Sequence, residues 1–192
     1  MSRFPNVGFL ISAADPAQFP PDAGAEVGFA GRSNAGKSTA INAITARHGL
    51  ARASKTPGRT RLVNFFTVGA GRIIDLPGYG YAAGPREERA AWGPLIDALR
   101  LRGSLKGLFL VADSRRGVLE PDLDLISWAE PEVRPVHVLL TKADKLSRSQ
   151  SQQVLAAARK ALAPGVSVQL FSALKRVGIE EAQDKLAQWL AV

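Results

Sequence analysis

The stretch "FAGRSNAGKSTAINAI", residues 29–44, decides the fold. It passes from an apolar segment, through a loop bracketed by two glycines, into a pattern typical of a helix that begins at Lys37. Within it, "GRSNAGKS" matches G-x-x-x-x-G-K-[ST] in the strand-to-helix setting that this phosphate-binding loop requires. The glycines let backbone amides approach phosphate oxygens closely, and the helix N-terminus adds partial positive charge. We therefore predict that Lys37 reaches the outer phosphates of a nucleotide and that the Ser38 hydroxyl binds Mg²⁺.

Apolar runs alternate with helical patterns along most of the chain, which indicates a three-layer α/β domain with a mostly parallel sheet. Two of the runs are joined by "GAG", so we expect a hairpin and one antiparallel edge strand. Strands are predicted at 26–31, 62–68, 72–76, 106–113, 134–141 and 166–172. Helices are predicted from Lys37, over 86–102, over 121–130, from Ser147 to before Pro164, and after Gly178. Residues 1–192 are expected to form a single domain, with 1–24 as an N-terminal extension that holds a first strand or edge segment.

The composition is that of a globular protein, with 46% apolar and 22% charged residues among 192. No apolar run approaches the roughly 18 residues needed to cross a membrane. There is no cysteine, which is compatible with the cytoplasm, so we expect a cytoplasmic protein. We also expect a monomer. His137 lies inside an apolar run and is expected to be a core residue with satisfied hydrogen bonds.

The positive charge is concentrated in one window of the sequence. No acidic residue occurs between Glu26 and Asp75, and the rest of the chain balances at 17 basic and 17 acidic residues, so this window carries the whole net charge of +8. Such asymmetry indicates an anionic partner. A nucleotide accounts for one or two of these charges, so we expect the polar stretch 47–61 to contact a further anionic partner. The eight basic residues of the window are Arg32, Lys37, Arg47, Arg52, Lys55, Arg59, Arg61 and Arg72.

The segment "LLTKAD", residues 139–144, predicts which base is bound. A carboxylate at Asp144 can accept hydrogen bonds from both N1–H and the exocyclic amine of guanine, whereas adenine has neither group in that place. Hydrogen bonds to a charged group contribute about 1.5–3 kcal/mol each, which is enough for roughly tenfold to hundredfold discrimination. Lys142 is expected to lay its methylene stem along the base.

Three further segments complete the predicted site. In "DLPG", Asp75 can hold Mg²⁺ through a water molecule, and the Gly78 amide can contact a γ-phosphate. In "FSA", backbone amides can contact the guanine oxygen. Thr60, in the basic stretch, is the candidate second protein ligand in the octahedral shell of Mg²⁺.

Taken in order, "GRSNAGKS", "KTPGRTRLVNFF", "DLPGYGYA", "TKAD" and "FSA" resemble the EngB (YihA/YsxC) family of bacterial ribosome-assembly GTPases. The resemblance covers about residues 25–175 and implies a Ras-like P-loop GTPase fold that binds GTP or GDP with Mg²⁺. It also implies a role in large-subunit assembly, in which we expect the basic stretch 47–61 to contact ribosomal RNA, and a requirement for normal cell division and septation. The Mg²⁺ ligands that it implies are Ser38 and Thr60. The nucleotide contacts that it implies are Gly31, Arg32, Ser33, Asn34, Ala35, Gly36, Lys37, Ser38, Gly58, Arg59, Thr60, Arg61, Leu62, Asp75, Leu76, Pro77, Gly78, Thr141, Lys142, Ala143, Asp144, Phe171, Ser172 and Ala173.

The predicted mechanism lacks one common component. Many GTPases place a glutamine directly after the glycine of DxxG, and here that position is Tyr79, so we expect slow intrinsic hydrolysis supported by Lys37, Thr60 and Gly78. Asn34 stands where related GTPases hold a monovalent cation, which makes K⁺ a candidate activator. Two alternatives remain at this stage: a P-loop nucleotide kinase, and a scaffold that holds nucleotide and RNA with negligible turnover.

Overall fold

Seven strands form one sheet in the computed structural model. The structure describes residues 3, 4, 6–52, 62–79, 85–129 and 134–191, and it describes the side chains of the helix at Pro85 from Gly93 onward. The sheet order is β1-β3-β4-β2-β5-β6-β7. The strands are β1 Gly8–Ala13, β2 Glu26–Gly31, β3 Val63–Val68, β4 Gly71–Asp75, β5 Leu105–Asp113, β6 Val136–Thr141 and β7 Ser167–Leu170. The helices are α1 Lys37–Ile44, α2 Pro85–Arg100, α3 Glu120–Ala129, α4 Arg148–Ala161 and α5 Ile179–Leu190.

The predicted hairpin and its antiparallel strand are confirmed. β3 and β4 pair antiparallel across a turn in which Gly69 has a φ of 58°, whereas β4, β2, β5, β6 and β7 pair parallel. β1 pairs antiparallel with β3 and forms the edge of the sheet. The antiparallel strand β3 is therefore second from the edge, and the predicted N-terminal extension supplies the edge strand itself.

The core has two layers because successive side chains of the central strands point to opposite faces of the sheet. From β5, Phe109 and Val111 pack on one face with α1 and α5, while Leu108 and Leu110 pack on the other with α2, α3 and α4. This arrangement is the predicted three-layer architecture. Trp189 of α5 is partly buried, with its ring centroid 5.0 Å from that of Phe109.

The predicted helix start at Ser147 is confirmed by its hydrogen bonds. The Ser147 hydroxyl accepts from the Gln150 amide, and the Gln150 side chain accepts from the Ser147 amide. This reciprocal capping box satisfies two amide donors at the start of α4. His137 is buried as predicted, and its two ring nitrogens lie 2.7 Å from Ser167 Oγ and Gln169 Oε1.

A buried cluster of charges lies at the amino end of β2. The fully buried carboxylate of Glu26 accepts from Arg72 Nε at 2.7 Å, Arg102 Nε at 2.6 Å and Ser104 Oγ at 2.6 Å. Arg72 was counted among the basic residues that indicate an anionic partner, but this ion pair commits it to the fold. Within the described residues, no helix is both long and apolar enough to span a membrane.

Candidate functional site

The predicted phosphate-binding loop connects β2 to α1. Gly31 ends β2 so close to β5 that a Cβ there would lie 2.5 Å from the Val111 carbonyl oxygen. Gly36, with a φ of 98°, turns the chain into α1, and this left-handed conformation favours glycine. The Ser33 and Ala35 amides donate to the carbonyls of Tyr79 and Arg32, whereas the amides of the first turn of α1 have no partner within the helix. These first-turn amides are thus the donors that the loop offers to an anion.

Lys37 and Asp75 meet at the start of α1. Asp75 ends β4, where it pairs in register with Phe29 of β2. Lys37 Nζ donates to Asp75 Oδ1, and both side chains are largely buried. The lysine predicted to bind phosphates and the carboxylate predicted to act on Mg²⁺ are therefore paired with each other. Gly78 also lies against the loop, since a Cβ there would be 3.2 Å from Ser33 Cα.

The segment that follows β6 is bonded directly to the phosphate-binding loop. The Thr141 hydroxyl lies within hydrogen-bonding reach of the Ala35 carbonyl oxygen and 3.1 Å from the Ala112 carbonyl oxygen. Lys142 Nζ donates to the Asn34 carbonyl at 2.7 Å. Thr141 and Lys142 thus tie the predicted base-binding segment to the predicted phosphate-binding segment.

Asp144 is oriented by the segment that follows β7. Ser172 Oγ donates to Asp144 Oδ1 at 2.6 Å, and Ser172 Oγ itself accepts from the Lys175 amide at 3.1 Å. The hydrogen bond from Ser172, with a backbone amide and the nearby charges of Lys145 and Lys175, holds the pKa of Asp144 below its usual value. The carboxyl group is therefore ionised at neutral pH and acts purely as an acceptor.

Two of the three amides expected to contact a purine oxygen are already engaged. The Phe171 amide donates to the Leu140 carbonyl at 2.8 Å, and the Ser172 amide donates to the Val177 carbonyl at 3.0 Å. Ala143, also predicted to contact nucleotide, donates its own amide to the Phe171 carbonyl at 3.2 Å. Of "FSA", Ala173 is left as the amide to contact a ligand.

An open cleft of about 200 Å³ brings these segments together. It runs from Gly36 and Thr39 of the phosphate-binding loop and α1 to Asp144 and Ala173, with Lys142 in its lining. Leu174, which is 73% exposed, also lines it. The cleft opens at the carboxyl ends of parallel strands, where ligands of α/β proteins bind.

Tyr79 occupies the position where many GTPases have a glutamine, and its side chain is committed elsewhere. Its hydroxyl donates to Asp122 Oδ1 of α3 at 2.6 Å, and its ring packs partly buried among the side chains on the α3 face of the sheet. Burial, together with the Asp122 carboxylate, raises the pKa of Tyr79 far above its usual value. Its phenol therefore stays protonated and fixed to α3.

Sequence reasoning missed some residues of this region. Asp113 ends β5 opposite Thr141 and pairs with Lys142, and the carboxyl-end rule for parallel strands could have found it. Leu174 and Thr39 follow recognised segments directly but carried no pattern of their own. Leu62 directly precedes β3, and Leu76 and Pro77 directly follow β4, with the Leu76 side chain buried in the core. The predicted Gly58, Arg59, Thr60 and Arg61 fall outside the described residues.

Comparisons with known proteins agree with this geometry. A family model described as 50S ribosome-binding GTPase matches residues 26–142. A probable GTP-binding protein EngB of Aromatoleum aromaticum is 50% identical over 197 residues, which cover 100% of this chain and 91% of that protein.

Solved structures give the same result. The crystal structure of a probable GTP-binding protein engB superposes with a TM-score of 0.69 at 25% identity, covering 87% of this chain and 99% of that one. Era in complex with MgGDPNP and nucleotides 1506–1542 of 16S ribosomal RNA superposes with a TM-score of 0.62 at 20% identity, over 86% of this chain and 56% of that one, and this likeness concerns the fold alone. The full-length identity and the matching domain model together show that this chain belongs to the EngB family of GTP-binding proteins, among the P-loop GTPases.

Proposed function

We propose that this chain is a guanine-nucleotide switch that binds GTP or GDP with Mg²⁺, hydrolyses GTP slowly and acts in assembly of the large ribosomal subunit. One observation carries the proposal: a single cleft has the phosphate-binding loop at one end and the ionised Asp144 at the other. Thr141 and Lys142 bond the two ends together, so the spacing between them is fixed before a ligand binds. A rigid spacing of this kind suits a ligand with phosphates at one end and a purine at the other.

Selection of guanine follows from the state of Asp144. A carboxylate that is ionised and held by Ser172 can accept from both N1–H and the 2-amine of guanine. The Ala173 amide would donate to the guanine oxygen. The methylene stem of Lys142 and the exposed Leu174 side chain offer apolar surface to the purine ring.

The residues at the phosphate end fit Mg²⁺, because hydroxyl and carboxylate oxygens are its preferred ligands. Ser38 and Thr60 would bind the ion directly, and Asp75 would act through a water. When bound, Mg²⁺ neutralises charge on the β- and γ-phosphates. The Lys37–Asp75 pair must separate when nucleotide and metal bind, so that Lys37 can donate to the phosphates.

Slow hydrolysis is supported by the side chain of Tyr79, which bonds to Asp122 instead of facing the loop. The remaining groups, Lys37, Thr60 and Gly78, would position the γ-phosphate and stabilise its charge without orienting a water molecule. K⁺ is proposed as a supplement through the side-chain oxygen of Asn34, because the Asn34 carbonyl already accepts from Lys142. Equal turnover in KCl and NaCl at matched ionic strength would contradict the K⁺ site.

Attachment to the large-subunit precursor is proposed to use the basic segment 47–61. Arg47 and Arg52 are exposed, and the family model's description names the 50S subunit. Phosphate contacts of this kind are salt-dependent and largely independent of RNA sequence. We extend the proposal to action in the cytoplasm and to the requirement for normal cell division and septation that the resemblance implies.

The attachment is tested by replacing Arg52, Lys55 and Arg61 with alanine. We expect weaker cosedimentation with large-subunit precursors and little change in GTP affinity, because the proposal assigns these three side chains to RNA phosphates. Binding to the precursors that is unchanged even at low salt would contradict the assignment.

The nucleotide proposal is tested by titrating GTP, GDP and ATP in the presence of Mg²⁺. We expect saturable binding of GTP and GDP and much weaker binding of ATP. Indifference to guanosine nucleotides, or equal affinity for ATP, would refute it. The Tyr79 geometry also favours a second candidate, a scaffold that holds nucleotide without turnover, and single-turnover hydrolysis with and without ribosomal particles separates the two.

A further inference from the structure

The Asp113 carboxylate lies beside the cleft, and none of the roles proposed above uses it. Asp113 ends β5 in register with Thr141 at the end of β6, and its side chain is 9% exposed. Its Oδ2 accepts from Arg115 Nη2 at 2.6 Å and from Lys142 Nζ at 2.9 Å. Its Oδ1 accepts from Arg115 Nε and from the Arg115 amide, both at 3.0 Å. One carboxylate thus joins the loop after β5 to the loop after β6.

These bonds keep Asp113 ionised. The Arg115 guanidinium, and after it the Lys142 ammonium, hold the pKa of Asp113 well below its usual range despite its burial. Arg115 approaches from the outer side, with its side chain 51% exposed, and Lys142 approaches from the side of the cleft. The carboxylate is therefore a permanent acceptor with a cation on each side.

The pairing with Asp113 fixes the position of the Lys142 side chain. Its backbone has a φ of 57°, a left-handed conformation that side-chain-bearing residues rarely adopt. Its ammonium is shared between Asp113 and the Asn34 carbonyl of the phosphate-binding loop. A lysine side chain is otherwise among the most flexible, and ordering it on binding would cost conformational entropy. Because Asp113 already holds the Lys142 side chain in the folded protein, this entropy is lost on folding and not on ligand binding.

We propose that Asp113 is a positioning residue for the nucleotide: it holds Lys142 in place against the phosphate-binding loop and thereby slows nucleotide release, while Asp144 selects the base. The inference deepens the proposed function and rests on it. The Asp113 side chain needs no contact with the ligand, because it acts through Lys142. Arg115 supports it by orienting the carboxylate from the outer side.

The proposal is tested by stopped-flow release of a fluorescent GDP from the full-length protein with Mg²⁺. Asp113→Ala is expected to release the nucleotide about tenfold faster, because Lys142 loses a charged acceptor. Asp113→Asn keeps an oxygen acceptor and is expected to lie in between. Arg115→Ala leaves the Lys142 contact in place, so its effect is expected to be smaller than that of Asp113→Ala. Asp97→Ala, at an exposed position on α2, is the matched control.

A second readout separates positioning from general loosening of the fold. The ratio of GDP to IDP affinity is expected to stay unchanged in the Asp113 variants, because IDP lacks only the 2-amine that Asp144 reads. Release as slow as in Asp97→Ala, or a changed base ratio, would overturn the inference. Should Asp113→Ala fail to fold, Asp113→Asn decides the question. If the wild-type protein binds no fluorescent GDP, the proposed function itself has failed.

Discussion

At the scale of single residues, base selection depends on which atoms the side chain at position 144 presents. The Asp144 carboxylate offers two acceptors, and Ser172 fixes one of its oxygens at 2.6 Å. An acceptor pair complements the two donors on the edge of guanine. A side chain with one donor and one acceptor would complement a purine that has an oxygen in place of the 2-amine.

Asp144→Asn is therefore expected to exchange guanine for xanthine. We expect GDP affinity to fall by about tenfold to a hundredfold as a charged hydrogen bond is lost. Affinity for xanthosine diphosphate is expected to rise, because the asparagine amide can donate to the xanthine 2-oxo group. Both affinities are measured by isothermal titration with Mg²⁺.

The matched control for this exchange is Ser172→Ala, which removes the orienting hydroxyl but keeps the carboxylate. It is expected to weaken GDP binding without a gain for xanthosine diphosphate. If Asp144→Asn retained its preference for GDP, another group would have to select the base.

At the scale of elements, His137 connects β6 to β7. The Gln169 amide nitrogen donates to the Gly178 carbonyl at 2.7 Å, which leaves Gln169 Oε1 as an acceptor for the His137 Nε2–H group. The other ring nitrogen, Nδ1, then accepts from Ser167 Oγ. Burial is the main cause that lowers the pKa of His137, and the positive charge of Lys185 lowers it further. The hydrogen bond with Gln169 acts in the opposite direction and raises the pKa. The neutral ring is thus part of the link from the sheet to Gly178, where α5 begins.

Acidification is expected to weaken this link. Because the pKa is lower in the folded than in the unfolded chain, the contribution of His137 is complete above the unfolded value of about 6.5. It is lost as the pH falls toward the folded value, with a slope of up to about 1.4 kcal/mol per pH unit. Urea unfolding at pH 7.5 and 5.5 measures the loss, which is expected to be smaller in His137→Gln.

The control for the pH experiment is His48→Gln, at an exposed position, which should keep the wild-type pH dependence. An identical decline between pH 7.5 and 5.5 in the wild type and His137→Gln would contradict the assignment of the effect to His137.

Local patterns predicted most of the elements, because helix caps and strand periodicity depend on near neighbours. The capping box at Ser147 and the strand-to-helix setting of Lys37 are of this kind. The strand at 166–172 was predicted too long, since β7 ends at Leu170 and the residues after it, Phe171 and Ala173, line the cleft. Tertiary partners were not predictable in this way, and the pairing of Asp113 with Lys142 is an example.

At the scale of the whole molecule, the charged residues at the two ends of the central strands serve different purposes. The carboxyl ends hold the cleft, and the amino end of β2 holds Glu26 with Arg72 and Arg102. Arg102 also donates to the carbonyls of Pro20 and Pro21 and lies over the rings of Phe19 and Phe65 at 5.8 and 5.9 Å. This cluster fastens the segment before β2 to the rest of the fold.

Glu26→Gln is expected to lower the free energy of unfolding by about 3 kcal/mol or more, because it leaves two arginines without their buried counter-charge. GDP affinity is expected to stay unchanged, since Glu26 lies at the opposite end of β2 from the phosphate-binding loop. Urea denaturation and nucleotide titration measure the two quantities. Glu181→Gln, at an exposed position of α5, is the control; equal stability of the two variants would show that the cluster contributes little.

The Lys37–Asp75 pair has a consequence for the RNA contacts proposed above. A lysine that is already paired with a carboxylate attracts a polyanion only weakly to the phosphate-binding loop. If the chain attaches to a ribosomal particle as proposed, we therefore expect the RNA to bind outside the nucleotide cleft. On that proposal, the nucleotide cleft stays available for its small ligand even where RNA phosphodiesters are abundant.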